Sequence, residues 1–139
     1  MLSPKTSGEK IPVFPGFLVD SLKHLYANDV YYVCMEIVET SVFTRQIKKL
    51  LDDGEYRELQ KELVINPIAG AMIRRGGGLR KLRWTIEGRG KKGGIRVIYY
   101  YVTADERIFM LAAYAKRAKD DLTDKEVAAL RKLVKEELA

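Results

Sequence analysis

Leu79 to Tyr114 reads LRKLRWTIEGRGKKGGIRVIYYYVTADERIFMLAAY, and the spacing of its turns decides the fold. Leu79–Ile86 is a β-like run, followed by the Gly-rich turn Glu87–Gly94. Ile95–Val102 is rich in β-branched residues and tyrosine, which suit a pleated, half-buried surface. Thr103–Glu106 is a second turn, and Arg107–Tyr114 is the last run. Runs joined this closely pair as an antiparallel meander. Side chains alternate along a strand, so Leu82, Trp84 and Ile86 share a core-facing side while Lys81 and Arg83 share the other.

Upstream of the meander, Glu36–Thr40 alternates weakly and suits a short strand. Ser41 is placed to cap a helix whose apolar positions are Phe43, Ile47, Leu50 and Leu51. Asp52-Asp53-Gly54 stops that helix. A second helix runs from about Glu55 to Ile65, with Tyr56, Leu59 and Leu63 on one face, and Asn66-Pro67 ends it. Downstream, Thr123-Asp124-Lys125-Glu126 has the form of a capping box. It opens a helix with Val127, Leu130, Val134 and Leu138 on its apolar side. The expected order is β-α-α-β-β-β-α, an α+β domain in which a small antiparallel sheet carries its helices on one face.

Residues 1–34 differ from this pattern, with Pro4, Pro12 and Pro15 among Ser3, Ser7, Gly8 and Gly16. Phe17–Tyr26 is compatible with a short helix, and the stretch lacks the layout of a signal peptide. The expected division is an extension over 1–34, upstream of a natural start at Met35, and one domain over 35–139. The competing reading is an N-terminal arm packed on that domain.

The chain has 139 residues, 47% apolar and 32% charged, which is the composition of one globular domain. Cys34 is the one cysteine and His24 the one histidine. An internal disulfide, a cysteine metal cluster and any two-histidine mechanism are therefore excluded, and a reducing compartment is expected. No apolar run is long enough to span a membrane. The net charge is +6, and its origin is local: Arg74 to Arg96 holds nine basic residues and one acidic residue. A block of this kind, spaced by glycine, points to a polyanionic partner.

Within the block, Gly88-Arg89-Gly90-Lys91-Lys92-Gly93 spells G-x-G-x-x-G. The dinucleotide fingerprint needs a helix after it, and here a strand follows at once. A basic hairpin loop is the better reading, in which Arg89, Lys91 and Lys92 meet phosphates. Arg96 sits second in an otherwise apolar strand, where a cation is costly unless it is paired or faces a cleft. Glu87 and Asp105 are the carboxylates considered for a pair. Tyr99, Tyr100 and Tyr101 are mainly sheet packing. Tyr114 leaves the last strand beside Lys116 and Arg117, at a sheet rim or next to a phosphate grip.

The Leu79–Trp84 run, the Gly88–Tyr100 run and Tyr114-Ala115-Lys116, preceded by Asn66-Pro67, Gly70 and Gly77-Gly78, together resemble HigB-type toxins of the RelE/ParE superfamily. The resemblance covers about residues 35–139. It implies a RelE-like fold and a cytoplasmic toxin of a type II toxin–antitoxin pair that cuts mRNA on the ribosome. It further implies a cognate HigA-like antitoxin with a helix-turn-helix domain, and operator DNA contacted only through the antitoxin complex. Carried over by position, Lys81 and Arg83 match the family's basic pair, Arg96 its strand arginine, and Lys116 and Arg117 its basic residues after the last strand; with Tyr114 added as a substitute, the catalytic candidates are Lys81, Arg83, Arg96, Tyr114 and Lys116. Arg80, Arg89, Lys91, Lys92 and Arg117 are the RNA-binding candidates. No cofactor is implied, and the basic block lacks the carboxylates that would hold a metal pair. RelE-like enzymes often carry a catalytic tyrosine near the C-terminus, whereas this chain has none after Lys116, and Tyr114 is the substitute. Two other functions fit the same residues: a ParE-like gyrase poison, and an RNA-binding module without catalysis.

Overall fold

The computed structural model describes residues 10–14, 17–25, 32–86, 94–119 and 121–138, with side chains from Met35 onward. The described strands are β1 (Lys10–Phe14), β2 (Phe17–Leu25), β3 (Tyr32–Thr40), β4 (Ala71–Met72), β5 (Leu79–Trp84), β6 (Ile95–Val102) and β7 (Arg107–Ala115). The described helices are α1 (Ser41–Leu50), α2 (Asp53–Ile65) and α3 (Asp124–Leu138). The strands form one mixed sheet in the order β1-β2-β3-β7-β6-β5-β4. From β3 onward this is the α+β element order expected, with β4 added as a two-residue edge strand; the sheet expected to be antiparallel is mixed, because two helices carry the chain across between β3 and the meander and β3 joins β7 in parallel. The Phe17–Tyr26 helix is replaced by β2, which pairs antiparallel with β3 from Phe17↔Thr40 to Leu25↔Tyr32.

The meander forms as its alternation requires. β5 and β6 pair antiparallel from Leu79↔Tyr100 to Trp84↔Ile95, and β6 pairs antiparallel with β7. A bulge between Ile98 and Tyr99 leaves Leu111 as the extra residue of β7. β3 joins the other side of β7 in parallel, with Ile37↔Ile108 and Val38↔Phe109.

Both faces of the sheet are covered. α1 and α2 bring Phe43, Ile47, Leu59 and Leu63 onto Ile37, Leu82, Val97, Tyr99, Ile108 and Met110. α3 brings Val127 and Val134 onto Val38, Leu79, Phe109 and Leu111, the residues that point the opposite way. The expectation of helices on one face is thus corrected: α3 lies opposite the other two. The cause is visible in β3 and β7, which are apolar on both sides because they are central strands. Gly78 keeps the turn before β5 close to the α3 face. Its φ is +105° and a Cβ there would stand 2.6 Å from Tyr100 Cε2. No helix among the described residues is long and apolar enough to cross a membrane.

The helix ends differ by a residue or so from the sequence reading. Thr40, not Ser41, caps α1: its hydroxyl accepts from the Phe43 N–H at 2.9 Å and donates to the Leu111 carbonyl at 3.0 Å. Asp52 is the cap of α2, in a capping box with Glu55, so Asp53 and Gly54 begin a helix rather than end one. The Thr123–Glu126 box at α3 is present in both directions, at 2.9 and 3.2 Å. There the Glu126 carboxylate also takes Lys119 Nζ, and that bond foremost, then the Thr123 N–H, draws its pKa down to about 2. A depressed carboxylate stabilises the fold above its unfolded value of 4.5 and loses that contribution as pH falls toward about 2. An acid titration followed by helix circular dichroism is expected to show α3 loosening across this window, and Glu126→Gln to remove that component.

Candidate functional site

The register of the meander decides which of the basic residues meet. Arg83 lies opposite Arg96, and Arg96 lies opposite Tyr114. These three side chains form a row across β5, β6 and β7, and directly opposed residues stand about 4.5–5.5 Å apart at Cβ. Lys81 is two residues along from Arg83, hence on the same face and one pleat further toward α3. That face is the one α3 packs against, and the helix starts at Asp124. Lys81, Arg83, Arg96 and Tyr114 are therefore gathered at one end of one sheet face.

Their exposures differ. Arg83 is exposed, whereas Arg96 is 8% exposed and its Nη1 donates to the Ile95 carbonyl at 3.3 Å. The Tyr114 hydroxyl is out of solvent, and Lys119 Nζ lies 6.0 Å from the centre of its ring, within the range of a cation–π contact. Lys119 thus links Tyr114 to Glu126 at the start of α3. Lys116 and Arg117 are exposed in the turn after β7, where the Lys116 N–H donates to the Gly94 carbonyl at 3.1 Å.

A carboxylate completes the cluster. Asp121 accepts a charge-assisted hydrogen bond from Lys81 Nζ. Lys81 beside it, and Arg83 and Arg96 at longer range, hold the Asp121 carboxyl below the usual carboxylate range. Asp121 is not among the residues that the sequence singles out. The Asp120-Asp121 pair was the available signal, but Asp121 is 40 residues from Lys81, and no local pattern joins them. Asp105 is not the partner of Arg96: β6 runs Ile95–Val102, so the turn holding Asp105 is at the far end of the strand. Glu87 lies outside the described residues.

Arg80 goes elsewhere. It points to the opposite face from Lys81, and its Nη1 donates to the Gly70 carbonyl at 2.8 Å. In that position it ties β5 to the loop after α2 rather than joining the cationic row. Arg89, Lys91 and Lys92 lie outside the described residues. The strands on either side of their loop pair with each other, so the G-x-G-x-x-G sits between two strands and not before a helix. Of the tyrosine run, Tyr99 is fully buried and Tyr100 and Tyr101 are half-buried against opposite clusters, as packing residues.

Chemically, three permanent or near-permanent cations on adjacent strands make a seat for an anion carried on a planar or tetrahedral oxygen group. A buried guanidinium beside an exposed one favours charge that develops on such a group during a reaction, because its field is little screened. Residues 35–139 match the family model described as RelE toxin of RelE / RelB toxin-antitoxin system.

Proposed function

The chain belongs to the RelE toxin family, as a toxin of a type II toxin–antitoxin system, and from that premise we propose that it is a ribosome-dependent mRNA endonuclease of the HigB type. The observation that carries this reading is the row Arg83–Arg96–Tyr114 with Lys81 beside it on one face. Cleavage begins when a 2′-oxygen attacks the neighbouring phosphorus in line, a route open to RNA and closed to DNA. The bond to the 5′-oxygen breaks, one proton leaves the 2′-hydroxyl, and one reaches the departing 5′-oxygen. Arg83 and Arg96 serve the charge that builds on the phosphorane oxygens. Arginine stays protonated, so neither is the proton acceptor. Lys81 is the candidate acceptor; an ammonium has no lone pair, so the role requires its contact with Asp121 to open and its own proton to pass to solvent before the 2′-hydroxyl proton can be taken. Tyr114 and Lys116 are the candidate donors to the leaving oxygen. Arg117 and the loop residues Arg89, Lys91 and Lys92 would track the RNA backbone.

A site made of cations, with its one described carboxylate already engaged, is a poor nuclease toward free RNA. It gains from a surface that presents the phosphate in line, which is the contribution assigned here to the ribosome. The cognate inhibitor in this reading is a HigA-like antitoxin with a helix-turn-helix domain, and operator DNA is met only through that complex. Purified protein added to a translating extract is the test. Codon-phased cuts that vanish when ribosomes are omitted support the proposal. Gyrase-dependent DNA breaks would instead make the protein a gyrase poison, and ribosome binding without cuts would make it a non-catalytic module.

A further inference from the structure

Three like charges on adjoining strands repel one another, and among the described residues one anion is hydrogen-bonded to the first of them, Lys81. That anion, Asp121, belongs to the segment between β7 and α3 rather than to the sheet. Its side chain is 69% exposed, whereas the Lys81 side chain it contacts is 18% exposed. The segment is fastened on either side of Asp121, by Lys119 to Glu126 before it and by half-buried Leu122 against the α3 cluster after it. Asp121 itself touches the sheet through the ion pair, so its carboxylate is a surface group resting on a more sheltered cation.

We propose that Asp121 is an intramolecular competitor for the substrate phosphate, a carboxylate that engages Lys81 at the edge of the Lys81–Arg83–Arg96 seat in the free protein and is displaced when RNA enters. The inference rests on the proposed RNA-cutting function and adds to it a specificity-setting residue. A phosphodiester carries one negative charge and non-bridging oxygens suited to the same donors, so the exchange conserves the charge of the seat. Its consequence is selective. RNA that meets the protein loosely must give up hydration and displace a tethered rival for no gain in ion pairs. RNA held in place by the ribosome bears little of that cost.

The test compares wild type, Asp121→Asn and Asp121→Glu, each first shown to melt as wild type does. The probe is a fluorescent 2′-O-methyl tetranucleotide, which binds and is not cut, titrated over a range of salt. Asp121→Asn is expected to bind roughly two- to fivefold more tightly, with a log Kd–log salt slope steeper by about one phosphate contact. Asp121→Glu is expected to stay near wild type, because the charge is retained. Equal or weaker binding by Asp121→Asn overturns the proposal, as does absence of binding by all three proteins. Cutting in the translating extract is scored separately. Tighter binding by Asp121→Asn with no cutting by wild type upholds the competitor and removes the nuclease. Phased cutting by wild type without tighter binding does the reverse.

Discussion

Arg96→Ala is expected to lower mRNA cutting in a ribosome-containing extract by about 10²–10³-fold, the loss typical of one donor aimed at a developing oxyanion. The fold should survive. Arg96 is 8% exposed on β6, but it faces Arg83 across the strand pair, so its removal relieves a like-charge contact while it forfeits one bond to the Ile95 carbonyl. Arg96→Lys keeps the charge and loses the planar fork, and an intermediate rate is expected. Arg80→Ala is the instructive companion. It removes a cation only 16 positions earlier in the same basic block, yet Arg80 bonds Gly70 on the other side of the sheet. Its expected effect is a lower melting temperature with phased cutting retained. Full cutting by Arg96→Ala would take Arg96 out of the site, and loss of cutting by a well-folded Arg80→Ala would make charge density, not the row, the operative feature.

That contrast shows what the sequence could and could not carry. Two-residue periodicity assigned Lys81 and Arg83 to one face and Leu82 and Trp84 to the other, because a strand has no other way to arrange them. Register brings Arg83, Arg96 and Tyr114 into line, and the sequence does not fix it, because the β5–β6 connection spans 85–94 and a bulge between Ile98 and Tyr99 shifts β6 against β7. The features that escaped depend on partners distant in sequence. β2 has a helix-compatible composition but is a strand because β3 supplies nine opposing residues. Context of that kind overrides propensity. β3 lies in parallel beside β7 only after two helices have carried the chain across. α3 covers the face opposite α1 and α2, and its apolar stripe, although correctly spaced, does not say which side of a two-sided sheet it will cover. Asp121 reaches Lys81 through a segment without periodic pattern, and the choice of Thr40 over Ser41 as a cap depends on Leu111, 71 residues away.

Tyr99→Phe tests the other side of the sheet, and its expected cost is roughly 2–4 kcal/mol from two hydrogen bonds lost in a dry site. The Tyr99 hydroxyl accepts from the Gly70 N–H and donates to the Pro67 carbonyl, both at 2.8 Å, and the residue is fully buried. Phenylalanine fills the same ring volume but leaves a buried donor and acceptor to find new partners. The loop cannot close over the gap. A Cβ on Gly70 would already stand 2.8 Å from Tyr99 Cε1, so the backbone is as near the ring as glycine permits. A drop of about 10 °C in melting temperature is expected for a domain of this size. The alkaline limb supplies a second readout. Burial foremost pushes the Tyr99 hydroxyl above its ordinary value of 10.0, against the opposing pull of the Gly70 N–H and Arg80. A raised acid stabilises the fold below its unfolded pKa and loses that contribution as pH rises through the folded one. Wild type should therefore weaken above pH 10, and Tyr99→Phe should lose stability less steeply there while being weaker at neutrality. An unchanged melting temperature would mean that the Pro67–Gly70 loop is held by Arg80 alone. In that case the two substitutions should exchange their predicted effects on stability.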